Sequence, residues 1–214
     1  IVKENVKGAD GEEQIKYCKV LSFNYTNTYE RLYLDKQQIQ NSIDYIHGKA
    51  KLFNTVENNN MVLGIDEYLT DERKDRETEF IAFKKFYQRI YKETGCKYKD
   101  WVETIREEYD DFLQEKERII NRANEYVGND VQRMMHRLQA SAVRDQKCKM
   151  HNVYIFGHSL DITDKDILRE LILNENVYTT IFYLNRDVMG QQIANLVKII
   201  GQDELIRRTG GKSK

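Results

Sequence analysis

Val153-Tyr154-Ile155-Phe156-Gly157-His158-Ser159-Leu160-Asp161 reads as a strand that ends in a turn. Four β-branched or aromatic-rich positions suit a pleated, buried surface, and the chain then changes abruptly to small and polar residues. The same change occurs twice nearer the N-terminus. Residues 19–23, with Val20, Leu21 and Phe23, run into Asn24-Tyr25-Thr26, and residues 43–46, with Ile43, Tyr45 and Ile46, run into His47-Gly48. In an open α/β sheet, ligands bind outside the carboxyl ends of the strands. These endings therefore predict one polar cleft with Asn24, His47, His158 and Ser159 at its rim.

Outward from these strands, helical spacing follows each one. Tyr29, Leu32 and Tyr33 predict a short helix over residues 26–35. Thr163 or Asp164 is placed to cap a helix running through Leu173, and Asp187 to open a long helix carrying Val188, Met189, Ile193, Leu196, Val197 and Ile200. Residues 61–63 and 177–184 read as further strands. Strands alternating with helices predict an α/β fold, Rossmann-like, with a mainly parallel, doubly wound sheet.

Between the two groups of strands the pattern is helical. Residues 71–79 are nearly all charged, and Phe80, Phe83, Phe86, Tyr87, Ile90 and Tyr91 then recur every three to four positions up to Gly95. Asp100 is placed to cap a helix bearing Trp101, Ile105, Tyr109, Phe112, Ile119, Ile120, Ala123 and Tyr126. Asp130 is placed to cap another with Val131, Met134, Met135, Leu138 and Val143. Stripes of this kind predict a packed scaffold. The expected organisation is a disordered or partial lead-in over residues 1–16 and an α/β domain built from 17–65 and 152–206. A helical insertion covers 66–151, and a basic tail covers 207–214, with Arg207 and Arg208 solvated.

Composition narrows the function. The 214 residues include 34 Lys and Arg against 35 Asp and Glu, for a net charge of −1. That balance argues against a dedicated nucleic-acid binder, which carries a basic excess or stripe. No apolar run is long enough to cross a bilayer, and no signal peptide opens the chain. Cys18, Cys96 and Cys148 form no Cys-x-x-Cys pair, so neither a zinc knuckle nor a disulfide framework is expected, and a reduced, cytoplasmic setting fits best. Proline is absent, where average usage would give roughly ten, so boundaries must be read from Gly, Asx and Ser/Thr. The opening Ile1-Val2-Lys3 reads as an interior cut.

Phe23-Asn24-Tyr25-Thr26, Ile46-His47-Gly48, Leu63-Gly64-Ile65, Ile155-Phe156-Gly157-His158-Ser159-Leu160 and Phe182-Tyr183-Leu184-Asn185 occur in that order. This succession resembles the AbiH family of bacterial phage abortive-infection proteins and, more distantly, the sirtuin-like (SIR2-like) fold, over residues 20–200. The resemblance implies an NAD-like nucleotide as ligand or substrate, with no metal. It implies that Asn24 lies beside the nicotinamide–ribose linkage and His47 acts on the ribose side. Thr26, two residues after Asn24 and counted with the nucleotide-binding residues, stands where the sirtuin pattern has an acid. Gly157, His158 and Ser159 would contact the nucleotide, with His158 in place of the sirtuin Thr, and Asn185 would lie near the adenosine portion. The zinc cysteines of sirtuin deacylases are absent. The family's opening Gly-Asn-Gly-Phe-Asp-like turn, which would seat a pyrophosphate, has no counterpart in residues 1–19.

The expected chemistry is hydrolysis of the nicotinamide–ribose bond, making the chain an NAD glycohydrolase. That step needs a base near neutral pH, which imidazole supplies, and Asn24 would hold water or amide without titrating. Against this stands a plainer reading, in which His47 and Asn24 only make local turn contacts. Gly157-His158-Ser159 is not a nucleophile elbow, because Asp161 stands where that pattern needs glycine. Asp161, Asp164 and Asp166 read as capping residues at a helix start, Asp164 foremost, rather than metal ligands. His136 and His151 read as ordinary polar residues. A non-catalytic nucleotide sensor or protein-interaction module is the alternative. A metal nuclease built on Asp66, Asp161 and Asp164 has no supporting spacing. A phage or host protein as trigger and a homo-oligomer complete the expected partners.

Overall fold

The computed structural model describes residues 2–7, 13–33, 43–64 and 81–210. Five strands form one sheet in the order β3-β2-β1-β4-β5. They are β1 (Val2–Lys7), β2 (Glu13–Ser22), β3 (Ile43–Tyr45), β4 (His151–Ile155) and β5 (Val177–Ile181). Two parallel pairs, β2 with β3 and β4 with β5, are joined through β1, which runs antiparallel to both its neighbours. The α/β class predicted from the alternation holds, and β2, β3, β4 and β5 share one direction. The central strand reverses it. Residues 2–7, predicted as part of a polar lead-in, are this strand, with Lys3 paired to Cys18 on one side and Asn152 on the other.

The helices are α1 (Thr28–Tyr33), α2 (Lys85–Tyr91), α3 (Lys97–Glu125), α4 (Asp130–Arg144), α5 (Lys165–Ile172), α6 (Arg186–Ile200) and α7 (Gln202–Gly210). Alternation along the strands puts Leu21, Phe23, Val153, Ile155, Val177 and Ile181 on one face. Leu160, Leu168, Ile172, Leu196, Ile199 and Ile200 from α5, α6 and the preceding loop pack there against Ile155 and Ile181. Tyr98, Trp101 and Val102 of α3 meet Ile46 and Ile167, with Leu21 and Phe23 against them, while Ile105 packs on Val153 and Val177. These three clusters lie on one face of the sheet, under α3, α5 and α6, while Val20 and Ile43, paired across β2 and β3, are buried on the other.

Several boundaries depart from the sequence reading for local reasons. Residues 61–63 make no strand. Their backbone is satisfied singly, Val62 N–H donating to the His47 carbonyl (2.8 Å), Met61 N–H to Asn59 and Leu63 N–H to Gln88. The helix predicted from Phe80 is a 3₁₀ turn, Ile81–Phe83, followed by α2. Phe83, Phe86, Ile90 and Tyr91 are exposed rather than core. Helix α3 begins before Asp100, because the buried Asp44 carboxylate accepts a hydrogen bond from Tyr98 N–H (3.1 Å) and caps it from across the fold. Asn129, one residue before the predicted Asp130, caps α4 by accepting from Gln132 N–H. Arg207 and Arg208 do not form a solvated tail. Arg208 pairs with Glu204 and donates to the Leu173 and Asn174 carbonyls, closing the C-terminus of α5, while Arg207 pairs with Glu175 and Glu204. The charged residues 71–79 lie outside the described residues.

Candidate functional site

The chain leaves β3 through Ile46 and His47 into a turn that only glycine fits. Gly48 has φ of +77°, and a Cβ there would meet the Asn60 carbonyl oxygen at 2.1 Å. Ile46 N–H donates to the Ser22 carbonyl, so His47 continues beside the end of β2. With its own carbonyl tied to Val62, the imidazole is driven inward and is 5% exposed.

At the end of β4 the turn is built differently. Gly157 takes φ of +62°, and Leu160, fully buried, takes +57°, a conformation costly for a branched side chain. Two amides from α6 hold the loop in this shape. Gln192 donates to the His158 carbonyl (2.9 Å) and Asn195 to the Ser159 carbonyl (3.0 Å). Leu160 N–H donates to His158 Nδ1 (2.8 Å), which makes that nitrogen an acceptor and leaves the ring hydrogen on Nε2.

Both imidazoles converge on Asp164. His47 Nε2 lies 3.1 Å from its Oδ1 and His158 Nε2 lies 3.5 Å from its Oδ2. Lys85 Nζ completes the group, donating to Asp164 Oδ1 (3.0 Å) and Thr163 Oγ1 (2.9 Å). Phe23 packs edge-on against both rings, its centroid 5.7 Å from that of His47 and 4.3 Å from that of His158. Burial works to raise the Asp164 pKa, but His158, His47 and Lys85 outweigh it and hold the carboxyl far below the ordinary range. Tyr25 closes the side nearest Val62, its hydroxyl donating to the Val62 carbonyl (2.6 Å). Burial, and behind it the Asp164 charge, push its phenol pKa up.

His47 is the unusual member. Its Nε2 approaches Asp164 off the line that a hydrogen bond requires, and its Nδ1 has no partner among the described residues. A buried nitrogen without a partner is costly. His158 is the opposite case, with one nitrogen engaged by the backbone and the other facing the carboxylate.

Of the residues singled out from sequence, the structure therefore brings His47 and His158 to one carboxylate. Asn24 follows Phe23 but points to solvent, in a turn closed between Ser22 Oγ and its own backbone. Thr26 is exposed, 3.1 Å from Thr28 hydroxyl to hydroxyl. Gly157 and Ser159 are exposed beside His158. Asn185 caps α6, accepting from Val188 N–H (2.9 Å).

Sequence reasoning missed Asp164 and Lys85. Asp164 was assigned to capping, yet Asp161 accepts from Thr163 N–H and caps that turn, while Asp164 makes no side-chain capping bond. Two acids within one turn, where capping needs one, was the available signal. Lys85 carried none, because its partner is 79 positions away. Among the described residues no three His, Cys, Asp or Glu side chains are arranged to hold a metal ion. No described helix is long and apolar enough to cross a membrane.

The sheet and the cluster at its strand ends define an α/β protein with two histidines held on one buried carboxylate. The model of the family described as "Bacteriophage abortive infection AbiH" matches residues 2–184, and the chain belongs to that family. No curated protein matches it, and no solved structure does.

Proposed function

We propose that this phage abortive-infection protein binds an NAD-like nucleotide at the strand-end rim and hydrolyses its nicotinamide–ribose bond. The observation that carries the reading is His47, with one nitrogen against Asp164 and the other unengaged. A general base needs that polarity, a carboxylate behind the ring and a free nitrogen in front. Water attacks the anomeric carbon of the ribose, the bond to nicotinamide breaks, and the proton passes to His47 Nδ1. Asn24 positions water or carboxamide. Thr26, Gly157 and Ser159 contribute neutral donors along the exposed rim, His158 holds the loop against Asp164, and Asn185 lies toward the adenosine portion. The donor set fits a neutral ribose and amide. Rossmann-like, sirtuin-like ancestry of the sheet and a cytoplasmic site of action belong to the same proposal, as does a phage or host protein that triggers the reaction.

A second reading is favoured by one specific observation. Both His47 nitrogens are shielded from solvent, which suits a nucleotide sensor or protein-interaction module that binds without turnover. Nicotinamide release from NAD, measured with and without phage lysate, separates the two. The enzyme reading expects release that falls about 100-fold or more in His47→Ala with the fold intact. NAD binding with no release in any condition would leave the sensor.

A further inference from the structure

Helix α4 is amphipathic, and it is packed with its apolar side outward. The side turned to α3 holds Arg133, His136, Ala140 and Val143. Ala140 is buried, the other three are half-buried, and the His136 ring lies 4.7 Å from that of Tyr126. At 100° per residue, Val131, Met134, Leu138 and Ala142 fall on the opposite side. Val131, Met134, Met135 and Leu138 are 73%, 64%, 57% and 61% exposed. A helix normally turns such a stripe to the core; this one shows it to solvent along its whole length. The spacing is heptad-like, with Val131 and Leu138 seven apart and Met134 between them.

The charges beside the stripe say what covers it. Asp130, Arg137 and Arg144 are also spaced by seven and line one edge of it. In an antiparallel pair related by a two-fold axis beside residue 137, the same edge of each helix meets its own copy. Asp130 of each then faces Arg144 of the other, twice, while Met134 of each packs on Leu138 of the other. Arg137 meets its counterpart at the axis, a like-charge contact at the solvent rim, where screening makes it weak. We infer that α4 is a self-association surface and that its occupant is α4 of a second copy of this chain, docked antiparallel. The Asp130 carboxylate is 95% exposed and pairs with Arg133 of its own helix (3.3 Å), a surface ion pair weak enough to be exchanged for Arg144 of the second copy.

One helix pair buries less than a stable dimer needs, so the association is concentration-dependent. Sedimentation equilibrium of the purified chain from about 1 to 200 µM tests it. Expected is a monomer–dimer equilibrium weakened tenfold or more by Leu138→Asp. Arg144→Asp sets acid against acid and weakens it several-fold, and the double variant Asp130→Arg with Arg144→Asp restores it. Far-UV circular dichroism of each variant checks that the helices persist. Since these side chains point to solvent in the monomer, they should. A monomer at every concentration, or a dimer indifferent to Leu138→Asp, overturns the proposal. So does an Arg144→Asp loss that the charge swap fails to restore.

Discussion

At the scale of single residues, Asp164 organises the site, and its charge sets an acid limb of stability. Its folded-state pKa lies below the unfolded carboxylate value of about 4. A depressed acid contributes stability that is fully present above the unfolded pKa and is lost as pH falls below it. Asp164→Asn removes the charged acceptor shared by Lys85 and the two imidazoles. The expected cost at pH 7 is about 1.5–3 kcal/mol. Because the wild type loses the same contribution in acid, the gap between the two should narrow by about pH 3. Urea titrations at both pH values measure it, and a constant gap would remove the carboxylate from this role. The two histidines were legible because each stands at a strand end in an otherwise apolar run. Asp164 was not, because the sequence beside it offers a helix start that an acid would also serve.

Elements show a second kind of concealment. The stripes in α3 and α4 have the same periodicity in the sequence, yet Trp101, Val102 and Ile105 are core and Val131, Met134 and Leu138 are exposed. Periodicity establishes that a helix has an apolar side; what that side meets depends on neighbours the pattern does not contain. Capping divides the same way. Asn129 and Asn185 cap locally and were within reach of a reading along the chain, whereas Asp44 caps α3 from 54 positions away. Burial raises the Asp44 pKa, and the Tyr98 N–H opposes it. Asp44→Ala should cost about 1–2 kcal/mol by leaving that N–H unpaired. Asp44→Asn, which keeps an acceptor, should recover most of it. Equilibrium unfolding followed by circular dichroism makes the comparison, and equal losses in the two variants would show that capping is not the cause.

For the whole molecule, the decisive element is β1. Without it β2–β3 and β4–β5 are separate parallel pairs; with it they are one sheet. Lys3→Pro removes an N–H from a strand paired on both sides, which sheets tolerate only at edges. The expected loss is about 2 kcal/mol, a fall in Tm of roughly 4–8 °C for a chain of this size. An unchanged Tm by scanning calorimetry would mean that the two halves do not depend on this strand. Taken alone, the sequence determined what local forces control: the α/β class, the strand endings, the helices and the AbiH motifs in their order. Alternation, spacing and turn chemistry act between near neighbours and are written in the chain. Only the tertiary structure decided that the central strand runs backwards and that α4 turns its apolar side outward. It also decided that Lys85 and Asp164 share a charge with two histidines. Those outcomes depend on distant groups competing for the same buried space and the same lone pairs, and no local pattern records which of them wins.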